Sequence, residues 1–496
     1  MIKRKSIIFI ASLLAAAIFV SCAPADDRET EGDVDIRTNE TTPEEIAPDE
    51  DAWLAAVTPD LPDIRFDGFE FRILNTENDS VPWLLTQLEA EELTGDPFSD
   101  AVYLRNRAIE DRFDILIRET AVADYGVVSS MARRGIQAGD DEFDLYMLPR
   151  DQALGFARDG FLIDYFNIPH VDLSRIYWDQ NMAADLSINN RLFTMAGDFS
   201  FTHYSATMVM FFNKALHADL ALEDPYQMVR DGRWTFDAFH QMARTAVRDL
   251  NGDGIMDERD QFGYLSLYPL AYPTFMFAAG ERYMRKDADD RPVLSIGGER
   301  WVTAFLAIMD IMLDGDLFFC AEVAGNHRLQ DVMFPNNQAL FWTELMNWAM
   351  ILRGMEADFG ILPHPKLDEV QENYYSVVWG CTFMGVPITT QDLARTGVII
   401  EALSAESRRT VMPVYYDVVL STVIARDDES GEMLDIIFAN RVYDLALQFF
   451  EGVIVSPFNT QAHRRGNADI ASILEANVNR MERQIQSLMD RFDELN

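Results

Sequence analysis

The sequence predicts an α/β fold built on a mostly parallel sheet, and three observations support this prediction. The chain has 496 residues, 48% hydrophobic and 11% aromatic, which is enough apolar material for sizeable cores. Strand and helix patterns alternate along the first region, which is the rhythm of a parallel sheet. No repeat of about 20 to 50 residues is present, so solenoids and propellers are disfavoured.

In the first region the predicted order is strand, helix, strand, helix, strand. The five segments are residues 69–74, 100–113, 114–118, 127–138 and 143–148. The helices show apolar residues at helical spacing, and the strands are short apolar runs. Ligands of such sheets bind beyond the carboxyl ends of the strands, so we expect residues 75–79 and 148–151 near a ligand.

A second α/β region begins with a strand at residues 208–212. Further helices are predicted at residues 235–249, 299–313 and 434–450, and further strands at residues 339–342, 359–362, 383–386 and 418–424. The last stretch, residues 470–492, carries apolar residues at heptad spacing. About three heptads are few for an independent dimer, so we expect this helix to pack on its own protein, with a coiled coil as the alternative.

The charge balance is strongly acidic. The chain has 82 Asp and Glu residues against 41 Lys and Arg residues, for a net charge of −41. Such a surface repels phosphate backbones, so the composition excludes nucleic acid as a partner. The three cysteines, Cys22, Cys320 and Cys381, have neither the number for a disulfide framework nor metal-ligand spacing.

The N-terminus predicts export and a lipid anchor. Residues 1–21 carry positive charges followed by an apolar run too short to span a membrane, which indicates a signal peptide. The sequence Phe-Val-Ser-Cys at 19–22 resembles a bacterial lipobox, so Cys22 is the expected lipidation site. Ordinary secretion with cleavage near Ala23 or Ala25 is the alternative. Residues 22–60 are rich in acidic residues, threonine and proline, and we expect a disordered tether there.

No enzyme motif is present in the sequence. There is no nucleophile elbow, no zinc-protease helix, no phosphate-binding glycine loop and no dinucleotide fingerprint. The seven histidines are scattered without ligand spacing. We therefore expect a protein that is not an enzyme. A glycan hydrolase stays open as an alternative, because the separation of two carboxylates in space is not readable from sequence.

An ordered set of motifs resembles family 1 extracellular solute-binding proteins of ABC importers. The core of the set is Met-Phe-Phe-Asn-Lys at 210–214, Gly-Arg-Trp-Thr-Phe-Asp-Ala-Phe at 232–239, Asp-Leu-Asn-Gly-Asp-Gly at 249–254 and Gln-Phe-Gly-Tyr at 261–264. Segments 177–180, 191–198 and 355–366 also resemble that family. The resemblance runs from about residue 66 to the C-terminus.

The resemblance implies an α/β fold of two lobes, like that of periplasmic binding proteins, with hinge crossings and a helix-rich second lobe. By analogy the N-terminal lobe comprises residues 61–200 and 380–412, and the C-terminal lobe residues 201–379 and 413–496. The chain would cross between lobes near residues 197–212, 375–386 and 411–419. The solute would bind in the cleft between the lobes.

A carbohydrate-binding cleft needs flat aromatic rings together with carboxylates that accept hydroxyl groups. The aromatic candidates in the predicted crossing and cleft segments are Trp178, Tyr204, Trp342 and Trp379, and the polar candidates are Asp198 and Glu344. Any of these rings is as readily explained as part of the core. The adjacent tyrosines at 374–375 and 415–416 resemble the ferric-iron ligands of some relatives, although each pair also fits a half-buried strand.

The spacing of residues 249–260 predicts a calcium loop. Asp249, Asn251, Asp253, Ile255, Asp257 and Asp260 occupy positions 1, 3, 5, 7, 9 and 12 of an EF-hand-like loop, with Gly254 at the sharp turn. Asp260 departs from the usual glutamate. The alternative is an acidic surface turn without metal.

Taken together, these features predict an extracytoplasmic, lipid-anchored and monomeric solute-binding protein. It would capture a solute, an oligosaccharide or related sugar, and deliver it to the permease of an ABC transporter. The alternatives are a secreted glycan hydrolase and a sensory or structural lipoprotein of the same fold.

Overall fold

The computed structural model describes residues 50–77, 86–322, 324–326, 328–424, 429–459, 463–464, 466 and 469–495. The predicted signal peptide, Cys22 and residues 22–49 of the predicted tether lie outside the described residues. Within them, no helix is long and apolar enough to cross a membrane.

The strands and helices alternate along most of the described chain. In chain order the strands are β1 (Phe69–Thr76), β2 (Ile115–Val122), β3 (Leu145–Pro149), β4 (Met208–Asn213), β5 (Phe262–Ser266), β6 (Met284–Lys286), β7 (Pro292–Leu294), β8 (Phe318–Cys320), β9 (Ala339–Leu345), β10 (Phe359–Leu362), β11 (Ser376–Val377), β12 (Thr382–Gly385) and β13 (Arg441–Val442). The helices are α1 (Glu50–Val57), α2 (Pro97–Phe113), α3 (Tyr125–Ala138), α4 (Arg150–Arg158), α5 (Gln180–Leu186), α6 (Thr202–Ser205), α7 (Lys214–Asp219), α8 (Pro225–Arg230), α9 (Phe236–Thr245), α10 (Tyr268–Ala278), α11 (Glu299–Met312), α12 (Gln330–Met333), α13 (Trp348–Ile351), α14 (Leu393–Ile424), α15 (Glu429–Ala439), α16 (Leu445–Phe449) and α17 (Ile470–Glu494). A π-helical turn, Glu451–Val455, follows α16.

The first sheet has the strand order β12-β3-β1-β2. Strand β1 pairs in parallel with β2 and β3, and β12 pairs antiparallel with β3. The five elements predicted for the first region are therefore confirmed as β1, α2, β2, α3 and β3. Asp96 and Asp124 begin α2 and α3 by accepting backbone N–H groups of the first helical turn.

The second sheet has the strand order β10-β4-β9-β5-β8. The predicted strands at 208–212, 339–342 and 359–362 are confirmed as β4, β9 and β10, and the helices predicted at 235–249 and 299–313 are α9 and α11. Thr235 begins α9 because its side chain accepts the N–H of Ala238. This sheet and the first sheet give the chain the predicted two-lobe α/β architecture.

Two connecting segments run side by side between the sheets. Met195 pairs with Met384 in one isolated bridge, and Thr207 pairs with Val378 in another. The hydroxyl groups of Thr202 and Thr382 are 3.0 Å apart. The segment that returns to the first sheet as β12 thus lies against the segment that left it.

The strand predicted at residues 418–424 is wrong, because these residues are the end of the helix α14. The predicted crossing at 411–419 and the lobe boundary at 412–413 also fall inside this one helix, as does the tyrosine pair at 415–416. Val411, Met412 and Tyr415 are buried at helical spacing. Helix α14 contacts α2 beside the first sheet and α15 and β10 beside the second, so it bridges both sheets without a break.

Two other predicted boundaries need correction. Residues 434–450 are not one helix but the end of α15, the strand β13 and α16, and Asp444 begins α16 by accepting the N–H groups of Ala446 and Leu447. The tether predicted to reach residue 60 ends earlier, because α1 contacts α14 and buries Val57.

The C-terminal helix α17 packs on its own chain, as predicted. Its buried residues include Met481, Leu488 and Phe492, which belong to the predicted heptad pattern. The ring of Phe492 lies 5.5 Å from that of Phe193 in an edge-to-face contact. The apolar face of α17 is therefore buried within its own chain and not in a coiled coil with a second chain.

Candidate functional site

A cavity of about 580 Å³ opens between the two sheets. The first sheet contributes Pro149, Arg150 and Asp151, at the carboxyl end of β3. The second contributes Glu344 and Leu345, at the carboxyl end of β9. The connection between β11 and β12 forms its base, and Arg328, α12 and the start of α13 form one wall. The cavity lies where ligands of α/β sheets bind.

Trp379 is the aromatic residue at the base of the cavity. The guanidinium carbon of Arg150 lies 4.5 Å from the centroid of its ring, within the range of a cation–π contact. Arg150 is held there because Nη2 donates to Glu451 Oε2 at 2.7 Å and Nη1 donates to the carbonyl oxygen of Leu447 at 2.9 Å. Within the described chain, the buried indole Nε1 of Trp379 has no hydrogen-bond partner.

Trp348 is the second indole of the cavity. It comes from the second sheet's side and has a guanidinium group over its ring, because Arg328 lies 5.7 Å from the ring centroid. Arg328 Nη1 also donates to Asp331 Oδ2 at 3.0 Å. Burial raises the pKa of Asp331 against the opposing effect of this arginine. The cavity therefore presents two indoles, and each has an arginine over its ring that is paired with an acidic residue.

Glu344 is the most deeply buried carboxyl group of the cavity. Its Oε1 accepts the N–H of Leu345 at 3.0 Å, and its Oε2 accepts from Gln330 Nε2 at 3.2 Å. Desolvation raises the pKa of Glu344 to about 8, because the hydrogen bonds from these two neutral donors stabilise a carboxylate far less than water does. At neutral pH this side chain is mainly an uncharged carboxylic acid that can donate as well as accept.

The structure divides the six predicted solute-binding residues into three groups. Glu344 and Trp379 line the cavity. Trp342 is fully buried in the core, where Phe334 and Trp348 cover its ring, so it does not line the cavity. Trp178, Asp198 and Tyr204 line a separate pocket that includes Arg441, which we call the Arg441 pocket.

Sequence reasoning missed Arg150, Arg328 and Trp348. Arg150 lies in the segment 148–151 that the strand pattern placed near a ligand, so its position was predictable although its role was not. Trp348 and Arg328 lie outside the predicted strands and carried no periodic signal. Of the other predicted strand end, residues 75–77 are described and do not line the cavity; Asn75 is buried and donates to Glu119 Oε1 instead.

The calcium loop predicted at residues 249–260 is a turn rich in internal hydrogen bonds. Asp249 accepts the N–H groups of Gly252 and Gly254, and the donation from Gly254 is the main cause of the lowered pKa of Asp249. Asp260 is buried and accepts the N–H groups of Leu250 and Asp257.

The outer carboxylates of this loop are paired with a cation of the chain. Arg259 Nη2 donates to Asp253 Oδ2 at 2.9 Å and pairs with Asp257. Among the described residues, no group of three or more His, Cys, Asp or Glu side chains is arranged to hold a metal ion. A calcium ion would therefore need Arg259 to move away from both aspartates. Calcium binding stays a prediction.

Comparison with known proteins shows the fold. No protein-family model matches the chain, and no curated protein matches it either. Among solved structures, a cyclo/maltodextrin-binding protein complexed with maltotetraose has a TM-score of 0.57 and 15% identity, over 85% of this chain and 98% of that one. The maltose/maltodextrin-binding domain from Bdellovibrio bacteriovorus, bound to maltotriose, has a TM-score of 0.53 and 15% identity, over 84% and 100%.

A third structure extends the range of ligands. An ABC transporter solute-binding protein from Agrobacterium radiobacter K84, in complex with ribitol, has a TM-score of 0.52 and 11% identity, over 84% of this chain and 98% of that one. The two-lobe fold of these binding proteins is therefore the fold of this chain, as the motifs predicted.

Proposed function

We propose that this protein binds a solute between its two lobes and delivers it to an ABC-type permease. The observation that carries the proposal is the cavity of about 580 Å³, to which both sheets and the segment joining them contribute. A ligand in this position contacts both lobes at once, so it favours any arrangement that brings them together. The fold shared with solute-binding proteins supports the same role.

We propose an oligosaccharide or a related polyol as the solute. The indoles of Trp348 and Trp379 line the cavity and supply apolar surface for sugar rings, and Asp151, Gln330 and Glu344 supply polar groups for hydroxyls. The arginines of the cavity already have acidic partners, so the cavity carries little unpaired positive charge to select an anion. A neutral polyhydroxylated solute matches this balance.

The cellular location of the protein is proposed from its sequence. A signal peptide over residues 1–21 and lipid on Cys22 would hold a monomeric receptor at the outer side of a bacterial membrane, where it meets a permease. Two or three acyl chains anchor a protein firmly where one does not.

The experiment is a solute screen followed by two matched variants. Purified protein lacking the signal peptide is titrated calorimetrically with a panel of monosaccharides and of malto- and other oligosaccharides. We expect Trp379→Ala and Trp348→Ala each to weaken binding of the best solute by roughly 1–3 kcal/mol, the range for a buried aromatic platform. Trp53→Ala is the control, because Trp53 is exposed on α1 away from the cavity.

Two results would contradict the proposal. One is unchanged affinity in both cavity variants, which would place the solute elsewhere. The other is release of shortened products from an oligosaccharide during the titration, which would support the hydrolase alternative.

A further inference from the structure

Asp151 is an exposed acidic residue in the lining of the cavity between the sheets. It is the second residue of α4 and follows directly after the carboxyl end of β3. Strand β12 pairs with β3 through Thr382 and Pro149, and the cavity residues Gly380 and Cys381 come immediately before that strand. The side chain of Asp151 is therefore open to solvent next to the base of the cavity, where a bound solute can reach it.

The other charged side chains of the cavity lining balance one another. Arg150 pairs with Glu451 at 2.7 Å, and Arg328 pairs with Asp331 at 3.0 Å. Glu344 has no charge to balance at neutral pH, because burial raises its pKa to about 8. The two arginines are therefore compensated by two acidic residues, and Glu344 adds no charge.

Asp151 is the negative charge that this pairing leaves over. Its carboxylate forms no ion pair with any cation of the described chain, and water solvates it in the open cavity. Its electrostatic effect reaches another lining residue, Tyr125. Burial is the main cause of the raised pKa of that tyrosine, and the proximity of Cys381 and of Asp151 raises it further. A solute that enters the cavity therefore meets one uncompensated negative charge.

We propose that Asp151 makes the cavity select among sugars by charge, so that amino sugars bind more tightly than neutral sugars and uronates bind more weakly. The proposal rests on the solute-binding function proposed above and ranks the solutes of that class. An ammonium group on the solute is attracted by the carboxylate, whereas a carboxylate on the solute is repelled by it. Repulsion of this kind is one way in which a binding site rejects the wrong ligand.

The size of the charge effect depends on how much water the solute displaces. Charges at an open surface interact weakly, because water and salt screen them. A solute in a cavity of about 580 Å³ replaces part of that water, so the effective dielectric constant falls. Two unit charges about 6 Å apart, at an effective dielectric constant of about 40, change a dissociation constant about tenfold. The net charge of −41 on the whole chain acts in the same direction.

The test is calorimetric titration of the signal-peptide-free protein at pH 6 and low ionic strength with matched series of probes. One series is glucose, glucosamine and glucuronate, and the other is galactose, galactosamine and galacturonate. If the solute panel selects a different sugar, its own amino and uronic acid derivatives form the series. We expect the amino sugar to bind about tenfold more tightly than the neutral sugar, and the uronate about tenfold more weakly. Both ratios should shrink in 1 M sodium chloride, where the screening length is about 3 Å.

Two variants separate Asp151 from the overall charge of the protein. Asp151→Asn removes the charge with little change of shape, and it should bring both ratios close to one. Hydroxyl contacts that the three probes share cancel in these ratios. Asp237→Asn is the control and should keep the wild-type ratios. Asp237 is also exposed and is also the second residue of a helix, α9, but it does not line the cavity.

The outcomes distinguish this proposal from the proposed function. If the neutral sugar binds but its amino and uronic acid derivatives bind with equal affinity, charge selection is overturned and the solute-binding function stands. Ratios that are the same in the wild type and in Asp151→Asn also overturn the proposal, because the selection would then come from elsewhere. If no sugar of the panel or of the series binds, both proposals fail.

Discussion

The replacement Glu344→Gln tests whether the cavity holds an uncharged carboxylic acid. Glutamine has almost the same shape as the protonated side chain. Its carbonyl oxygen keeps the N–H of Leu345 as a partner. In the described chain, Gln330 Oε1 is buried without a partner. If the side-chain amide of Gln330 flips, this oxygen can accept a hydrogen bond from the amide group of the new glutamine. The variant should therefore fold.

The effect of Glu344 on the free energy of unfolding follows from its pKa, which is about 8 in the folded protein and ordinarily 4.5. Between these two values the folded state keeps the proton that the unfolded state has lost. The protonated Glu344 therefore causes no loss of unfolding free energy at pH 4. As pH rises through this window, the free energy of unfolding falls by about 1.4 kcal/mol per pH unit. The accumulated loss above pH 8 is on the order of 4–5 kcal/mol, and Glu344→Gln removes it.

The assay is urea unfolding of the wild type and Glu344→Gln at pH 5, 7 and 9. Other buried acids, Asp198 and Asp444 among them, also titrate, but they contribute equally to both proteins and cancel in the difference. We expect nearly equal free energies of unfolding at pH 5 and a variant that is more stable by several kcal/mol at pH 9. A difference that is constant across pH would refute the reasoning, because Glu344 would then be ionised throughout.

Three further predictions concern attachment, metal binding and packing. Cys22→Ala should leave the exported protein in the aqueous phase of a detergent partition in which the wild type enters the detergent phase; equal partition of both would contradict lipidation. Calcium should raise the melting temperature of the metal-stripped wild type but not that of Asp253→Ala. If calcium does not change the melting temperature of the wild type, residues 249–260 are an acidic turn that does not bind the metal. Gly263→Ala should lower the free energy of unfolding by about 1–3 kcal/mol, because its Cβ would clash with the carbonyl oxygen of Ala243. Gly298→Ala, with open space at the same position, is the control in the same unfolding experiment, and equal losses would show that the contact is not the cause.

Local sequence patterns were sufficient for elements whose burial follows a regular period. The first region shows this, because each of its strands and helices exposes one face and buries the other, or is buried on both. The C-terminal helix α17 behaves in a similar way, since Met481, Leu488 and Phe492 of its heptad pattern are buried. The ordered motifs also indicated the two-lobe fold that the solved structures share.

Patterns were not sufficient where a short apolar run fits two structures. The segment 418–424 is rich in β-branched residues and resembles a strand, yet it ends a helix of 32 residues that contains Pro413. The contacts of α14 with α2, α15 and β10 outweigh the local preference. Such contacts join residues far apart in the chain, so no window of sequence contains them.

The sequence by itself determined that this chain is an acidic α/β protein with residues 148–151 at the carboxyl end of a strand, and the resemblance of its motifs to a known family implied two lobes. Only the tertiary structure decided which tryptophans a ligand can reach. Trp342 and Glu344 share one face of β9, but each strand residue advances about 3.3 Å, so Trp342 lies about 7 Å further from the strand end. Trp348 packs over it at 5.5 Å and takes its place at the cavity wall. Depth along a strand and the identity of the covering side chain are set by three-dimensional packing, whereas sequence periodicity specifies only the face.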